Sequence, residues 1–110
     1  MASTEYWRGK SGKSYAYKIE KMPFRPPPLT DGNYIFARQR HGIWYAVYVG
    51  QGDLRDRHAA ALREGCVTRK NATHYHWHEN NSRSARLDEE QDVIKGNPEC
   101  QGRNGCNGTD

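Results

Sequence analysis

The sequence has no long apolar run and few aliphatic side chains. Only 35% of its 110 residues are hydrophobic, and the mean hydropathy is −1.10. No stretch approaches the ~18 apolar residues of a membrane-spanning helix, and the N-terminus has no charged-then-apolar leader pattern. We therefore expect a cytoplasmic protein with no membrane partner. Residues 1–110 should form a single domain whose modest core depends on aromatic side chains.

Cysteine is scarce, and its spacing suggests no pair. Cys66, Cys100 and Cys106 are an odd number and contain no CxxC motif. In a cytoplasmic chain this pattern predicts three free thiols.

Positive charge is concentrated in the first two thirds of the chain. Residues 1–70 contain 13 Lys and Arg against 6 Asp and Glu, whereas residues 71–110 contain 4 against 7. A basic body suits a polyanionic partner such as nucleic acid. An ordinary solvated surface explains the same charge equally well.

Residues 1–31 predict a hairpin and a proline-rich connector. Two β-rich segments within residues 5–21 flank a turn, and Lys13 in that turn is a candidate contact for backbone phosphate. The turn is not a phosphate-binding loop, because that motif needs glycine at position 7, which is Trp. The prolines within residues 22–31 predict a stiff extended connector, with a partner-binding proline motif as the alternative.

Residues 33–49 predict two strands joined by a tight turn at residues 40–42. Alternation places Tyr34 on one strand face with Phe36, and it places Trp44, Ala46 and Tyr48 together on one face of the next strand. Residues 50–52, Gly-Gln-Gly, should end that strand.

A helix should follow, from the N-cap Asp53 to Glu64, with Gly65 as its terminating glycine. His58 lies on its apolar stripe together with Leu54, Ala61 and Leu62. A third strand is expected within residues 66–78, with three histidines on one of its faces.

The second helix, residues 84–95, contains a carboxylate on its apolar side. Leu87, Val93 and Ile94 define the buried arc, and Glu90 falls within it. The other acidic residues fall outside that arc: Asp88, Glu89 and Asp92. A carboxylate facing the core needs a partner, so we expect Glu90 either to pair with an arginine or to bind a metal ion.

Four motifs in order resemble the GIY-YIG nuclease family. The first is Gly32-Asn33-Tyr34, and the second is Tyr48-Val49-Gly50. The helix motif is Asp53-Leu54-Arg55-Asp56-Arg57, and the last motif combines Glu90 with Val93-Ile94 and Pro98. The resemblance covers residues 32–98, and the family's closing asparagine has only a distant candidate, Asn104.

The resemblance implies an α+β fold with a small mixed or antiparallel three-stranded central sheet flanked by helices. Here it would carry an extra N-terminal hairpin, and residues 99–110 would form a C-terminal coil. It also implies a metal-dependent endonuclease acting on nucleic acid, with DNA favoured over RNA. In this reading Glu90 binds Mg²⁺, or alternatively Mn²⁺, and Arg57 contacts the scissile phosphate. Tyr34 positions or deprotonates the water, and Tyr48 orients water or phosphate.

Further site residues complete the prediction. His58 is a candidate auxiliary base, with helix packing as an equal alternative. We also expect five residues to contact nucleic acid: Lys13, Arg38, Gln51, Arg55 and His76. Specificity would then come from the N-terminal hairpin, a homodimer or a protein partner.

Two other functions remain open from the sequence. One is a nucleic-acid-binding module of the same fold without catalysis. The other is a zinc-binding interaction domain, with His74, His76 and His78 joined by Cys100 and Cys106.

Overall fold

The computed structural model describes residues 3–108 and shows one five-stranded antiparallel sheet with helices on both faces. The outermost residues of the expected N-terminal and C-terminal segments, 1–2 and 109–110, lie outside the described part. The strands are β1 (Ser3–Arg8), β2 (Ser14–Lys21), β3 (Asp31–Arg40), β4 (Ile43–Asp53) and β5 (His74–Glu79). The helices are α1 (Leu54–Glu64), α2 (Cys66–Arg69) and α3 (Arg83–Gly96), followed by a 3₁₀ helix at Pro98–Gln101.

The α+β class is confirmed, but the predicted three-stranded sheet is wrong. The strand order is β1-β2-β5-β3-β4, so the N-terminal hairpin extends the central sheet by pairing β2 with β5. The hairpin is also held by α3. Asp92 accepts hydrogen bonds from the Ser11 backbone and hydroxyl (2.8 and 2.6 Å) and from the Tyr15 hydroxyl (2.7 Å).

Each sheet face has its own core. On the face covered by α3, Ile35 and Ala37 pack with Val93 and Ile94. The face covered by α1 is richer in aromatics, and its cluster includes Tyr34, Phe36, Leu54, Tyr75 and Trp77. The predicted alternation of β3 is therefore confirmed.

The predicted alternation of β4 is wrong, because a β-bulge interrupts it. Phe36 pairs with Tyr48, but the next residue of β3, Ala37, pairs with Ala46, so Val47 is the extra residue. Trp44 and Ala46 belong to the α3 face, while Tyr48 packs on the α1 face. A bulge redirects the side chains that follow it, and here it places Tyr48 on the same face as Tyr34.

One boundary differs from the prediction. Residues 50–52 do not end β4, because the ladder continues to the pair between Asp31 and Asp53. The expected third strand is confirmed as β5, and the residues before it form the short helix α2. The expected ends of α1 are confirmed: Asp53 accepts from the Asp56 backbone N–H, and Gly65 has the left-handed conformation.

The prediction of three free thiols is wrong for two of the cysteines. Cys66 and Cys106 form a disulfide, and only Cys100 is a free, buried thiol. The C-terminal segment makes this pair possible, since the Cys106 N–H donates to the Val47 carbonyl and fastens the segment to β4. Disulfides persist mainly in oxidising compartments, so the cytoplasmic location stays a prediction. Within residues 3–108 no helix is both long and apolar enough to cross a membrane.

Candidate active site

The candidate site is centred on Gly50, near the end of the β3–β4 pair. Tyr34 lies directly opposite Gly50 in the ladder and is 1% exposed. A Cβ at position 50 would overlap the hydroxyl and Cζ of Tyr34. Glycine is therefore required for the Tyr34 ring to lie across β4 at this point.

Tyr48 lies beside Tyr34 because of the bulge at Val47. The two ring centroids are 6.1 Å apart in an edge-to-face arrangement. Tyr34 also packs against Phe36 and Tyr75, each at 5.8 Å. This packing holds the Tyr34 ring firmly, so its hydroxyl has a fixed position at the site.

Arg57 reaches the same point from the first turn of α1. Its Cγ lies 3.3 Å from the place that a Cβ would occupy at Gly52. The neighbouring hydroxyl of Tyr34, and then Tyr48, raise the pKa of Arg57 above its ordinary value. The guanidinium is therefore a permanent, largely exposed cation beside both tyrosines.

Tyr34 stays protonated at neutral pH. Burial raises its pKa above the ordinary value of 10, although the Arg57 guanidinium acts in the opposite direction. A neutral hydroxyl can hold a water molecule by hydrogen bonding, but it is not a base. The direction of this shift favours the positioning role for Tyr34 over the deprotonating role.

Glu90 lies on α3, which covers the sheet face opposite to Tyr34 and α1, and it is linked to the site through the charge of Arg57. The carboxylate is half-buried, and burial raises its pKa, opposed by a hydrogen bond from Gln91 and by the charge of Arg57. In the part of the chain that the structure describes, no Lys, Arg or His forms a salt bridge with it. The alternative of a paired arginine is therefore not supported, and Glu90 is a partly desolvated anion within electrostatic range of Arg57.

A buried polar network sets the position of α3 over the sheet. Asn33, the middle residue of the first motif, donates to the Arg86 carbonyl (3.0 Å) and accepts from Asn80 (3.1 Å). Arg86 Nε in turn donates to Gln51 Oε1 (3.0 Å). Because Arg86 is one helical turn before Glu90, this network fixes Glu90 near the end of β4.

Three of the predicted nucleic-acid contacts have other partners. Gln51 is occupied with Arg86, and Arg55 Nε donates to the Pro26 carbonyl (2.9 Å), which fastens the connector to α1. His76 is 0% exposed and accepts from Trp7 Nε1 (3.0 Å). His76 packs on Trp44 and Trp7 of the α3 face, so the prediction that it contacts nucleic acid is wrong.

The two remaining predicted contacts, Arg38 and Lys13, and the candidate base His58 differ in their position relative to Gly50. Arg38 lies over the Tyr45 ring at 5.8 Å, farther along the β3–β4 pair from Gly50. Lys13 is exposed in the β1–β2 turn, at the opposite edge of the sheet from β4. His58 is 6% exposed and packs on Phe36 and Tyr75, which agrees with its helix-packing alternative.

The sequence-based prediction did not identify two structural features. Glu89, expected outside the buried arc, is 5% exposed and accepts hydrogen bonds from Tyr17 (2.6 Å) and His78 (2.7 Å). Asn107, rather than Asn104, reaches β4, where its side-chain amide bonds both the N–H and the carbonyl of Val49 (2.7 and 2.9 Å). No local pattern marks either residue, because each partner is distant in the chain.

Three of the five residues proposed as zinc ligands are engaged or buried in other ways. Cys106 is in the disulfide, Cys100 is 0% exposed, and His76 is bonded to Trp7. Among the residues from 3 to 108, no three His, Cys, Asp or Glu side chains are arranged to hold a metal ion.

The bond between His78 and Glu89 predicts a pH dependence of stability. His78 Nδ1 faces the Glu79 carbonyl (2.9 Å) and Nε2 faces Glu89, so both nitrogens meet acceptors, as suits the imidazolium form. Burial lowers the pKa of His78, but Glu89 raises it more, and the net pKa is above 6.5. The stabilisation is therefore complete below pH 6.5 and is lost as the pH rises through the raised pKa.

We expect His78→Gln to cost about 1–2 kcal/mol of unfolding free energy near pH 6. The cost should shrink toward pH 9, as measured by urea unfolding at several pH values. A difference between wild type and variant that stays constant from pH 6 to pH 9 would contradict the charged His78.

No protein-family model, curated protein or solved structure matches the chain.

Proposed function

We propose that this protein is a GIY-YIG-like endonuclease that hydrolyses phosphodiester bonds of nucleic acid, with DNA favoured, using a divalent metal ion. The observation that carries the proposal is the meeting of Tyr34, Tyr48 and Arg57 at Gly50, with Glu90 in range of the Arg57 charge. Two hydroxyls, a fixed cation and a half-buried carboxylate are the groups that phosphodiester hydrolysis requires at one place.

Arg57 and the tyrosines have separate tasks in this proposal. Arg57 binds the scissile phosphate, because its planar donors match phosphoryl oxygens and neutralise their growing charge. The neutral hydroxyl of Tyr34 holds the attacking water, and the hydroxyl of Tyr48 orients that water or a phosphate oxygen. The packing around Tyr34 keeps its hydroxyl in place, which lowers the cost of reaching the transition state.

Glu90 fits a magnesium ion. Mg²⁺ is bound through one or two carboxylates together with waters and substrate phosphates, and Glu90 is a carboxylate without a cationic partner in the described structure. When bound, the ion supplies charge neutralisation and stabilises the leaving group. Mn²⁺ suits the same oxygen ligands.

The test is nicking of a supercoiled plasmid with Mg²⁺, compared with the same reaction in a chelator. We expect Arg57→Ala to reduce nicking about a hundredfold, because it removes one main donor to the transition state. Arg40→Ala is the control, since Arg40 is an exposed arginine at the far end of β3 from Tyr34. Full activity of the Arg57 variant would overturn the role of Arg57.

A further inference from the structure

A concave site lies on the α1 face of the sheet, beside α1. It is a cavity of about 460 Å³ between the connector, α1, α2 and the turn before β5. Its walls include Met22, Phe24, Leu62 and Ala72, with polar groups from Thr68 and Asn71. A mainly apolar cavity of this size with a few polar groups is typical of a small-molecule or single-base site.

His58 forms part of the inner wall and has unused hydrogen-bonding capacity. Its Nε2 is buried without a partner among the described residues, and the same is true of the hydroxyl of Tyr75, whose ring lies 4.8 Å from the His58 ring. Burial lowers the pKa of His58, so the ring is neutral and offers one donor and one acceptor. The accessible polar groups of the cavity wall include those of Thr68 and Asn71.

Phe24 supplies an aromatic wall that is already held in place. Its ring stacks on Tyr75 at 5.9 Å and on Trp77 at 6.3 Å, with interplanar angles of 29° and 27°. A supported aromatic ring on the wall of an open cavity is a platform for a planar ring.

The charges around the cavity point to an anionic partner. None of its lining side chains is charged at neutral pH. Every charged residue next to a lining residue in the chain is cationic: Lys21, Arg25, Arg57, Arg63, Arg69 and Lys70. A neutral lining on chain segments rich in Lys and Arg suits a nucleotide, whose base is uncharged and whose phosphate is anionic.

We propose that this cavity holds one unpaired base of a nucleic-acid strand. Phe24 stacks on the base, and Asn71 and Thr68 bond its polar edge. The proposal rests on the proposed function for the identity of the partner. His58 directly follows Arg57 on α1, so the base site and the candidate cleavage site are neighbours along this helix. The substrate is therefore a strand with an unpaired nucleotide near the scissile phosphate.

The test measures binding without cleavage, in a chelator. The probe is a short single-stranded DNA with one 2-aminopurine, a fluorescent adenine analogue whose emission falls when it stacks on an aromatic ring. We expect saturable quenching, and we expect the same strand with an abasic site at that position to bind roughly five- to a hundredfold more weakly. Equal affinity of the abasic strand, measured by anisotropy, would overturn the proposal.

Two variants locate the base within the cavity. Phe24→Leu removes the stacking ring but keeps an apolar side chain. Asn71→Gly removes the amide and suits the backbone, because Asn71 has a positive φ of 64°. Each should weaken binding at least about fivefold, whereas Leu29→Ala, a control at a leucine that is 96% exposed, should bind like wild type. Thermal unfolding checks that each variant is folded, and wild-type affinity in a folded Phe24→Leu variant would refute the assignment.

The outcome is separate from that of the proposed nuclease activity. Quenching that depends on Phe24 in a protein that does not cut DNA would support the base site and reject the nuclease. Cleavage without a Phe24-dependent signal would support the nuclease and reject the base site.

Discussion

Replacing Glu90 by Gln is expected to lower the rate of Mg²⁺-dependent DNA nicking about a thousandfold, because a bound metal ion supplies several kcal/mol of transition-state stabilisation. Gln has nearly the same shape but lacks the charge that attracts a divalent cation. The carboxylate makes no salt bridge in the described structure, and burial raises its pKa. The substitution should therefore leave the unfolding free energy unchanged or slightly higher.

The control for this substitution is Asp88→Asn, which removes an exposed carboxylate two residues earlier on the same helix. It should nick DNA at the wild-type rate. If Glu90→Gln and wild type nick equally above background, the metal-binding role of Glu90 is wrong. If wild type itself nicks no faster than a chelated sample, the alternative of a binding module without catalysis is favoured.

The parts of the fold that the sequence predicts well depend on local signals. The β3–β4 hairpin follows from two β-rich runs around a turn, and α1 follows from its capping residues Asp53 and Gly65. The local chemistry of these elements depends on residues within a few positions of one another. The local elements alone do not place Tyr34 beside Arg57; that expectation comes from the resemblance carried by the four ordered motifs.

The errors all involve contacts between distant parts of the chain. The alternation of β4 fails at Val47, since a bulge depends on pairing with β3 rather than on the run itself. The surface position predicted for Glu89 fails because Tyr17, 72 residues earlier, supplies a hydrogen bond inside the fold. The Cys66–Cys106 pair joins residues 40 positions apart. A single sequence carries no local signal for such partners.

Asn33, the middle residue of the first motif, has a structural role. It is 0% exposed, and both ends of its amide are hydrogen-bonded. Its bond to the Arg86 carbonyl ties β3 to α3. The polar residue thus aligns the helix that contains Glu90 with the strand that contains Tyr34.

Replacing Gly50 by Ala is expected to cost about 1–3 kcal/mol of unfolding free energy, the usual range for overpacking a core, and to remove most of the nicking activity. The added Cβ would overlap the Tyr34 hydroxyl and Cζ, so the ring must move away from its position beside Arg57. Urea unfolding and the plasmid assay measure the two effects. Gly108→Ala is the control, because a Cβ there meets nothing within 4 Å.

A double substitution separates this clash from a general weakness of β4. Tyr34→Leu shortens the side chain that the new Cβ meets. The unfolding free energy lost on Gly50→Ala should therefore be smaller in the Tyr34→Leu background than in the wild type, by at least about 1 kcal/mol. The part of the stability loss that comes from the clash should be relieved in the double variant. The nicking activity should stay low, because the Tyr34 hydroxyl that holds the water is gone. Tyr34→Phe should give little relief, since its ring carbon remains in the way. If the two costs add without coupling, Gly50 does not serve to admit Tyr34, and the geometry assigned to the site is wrong.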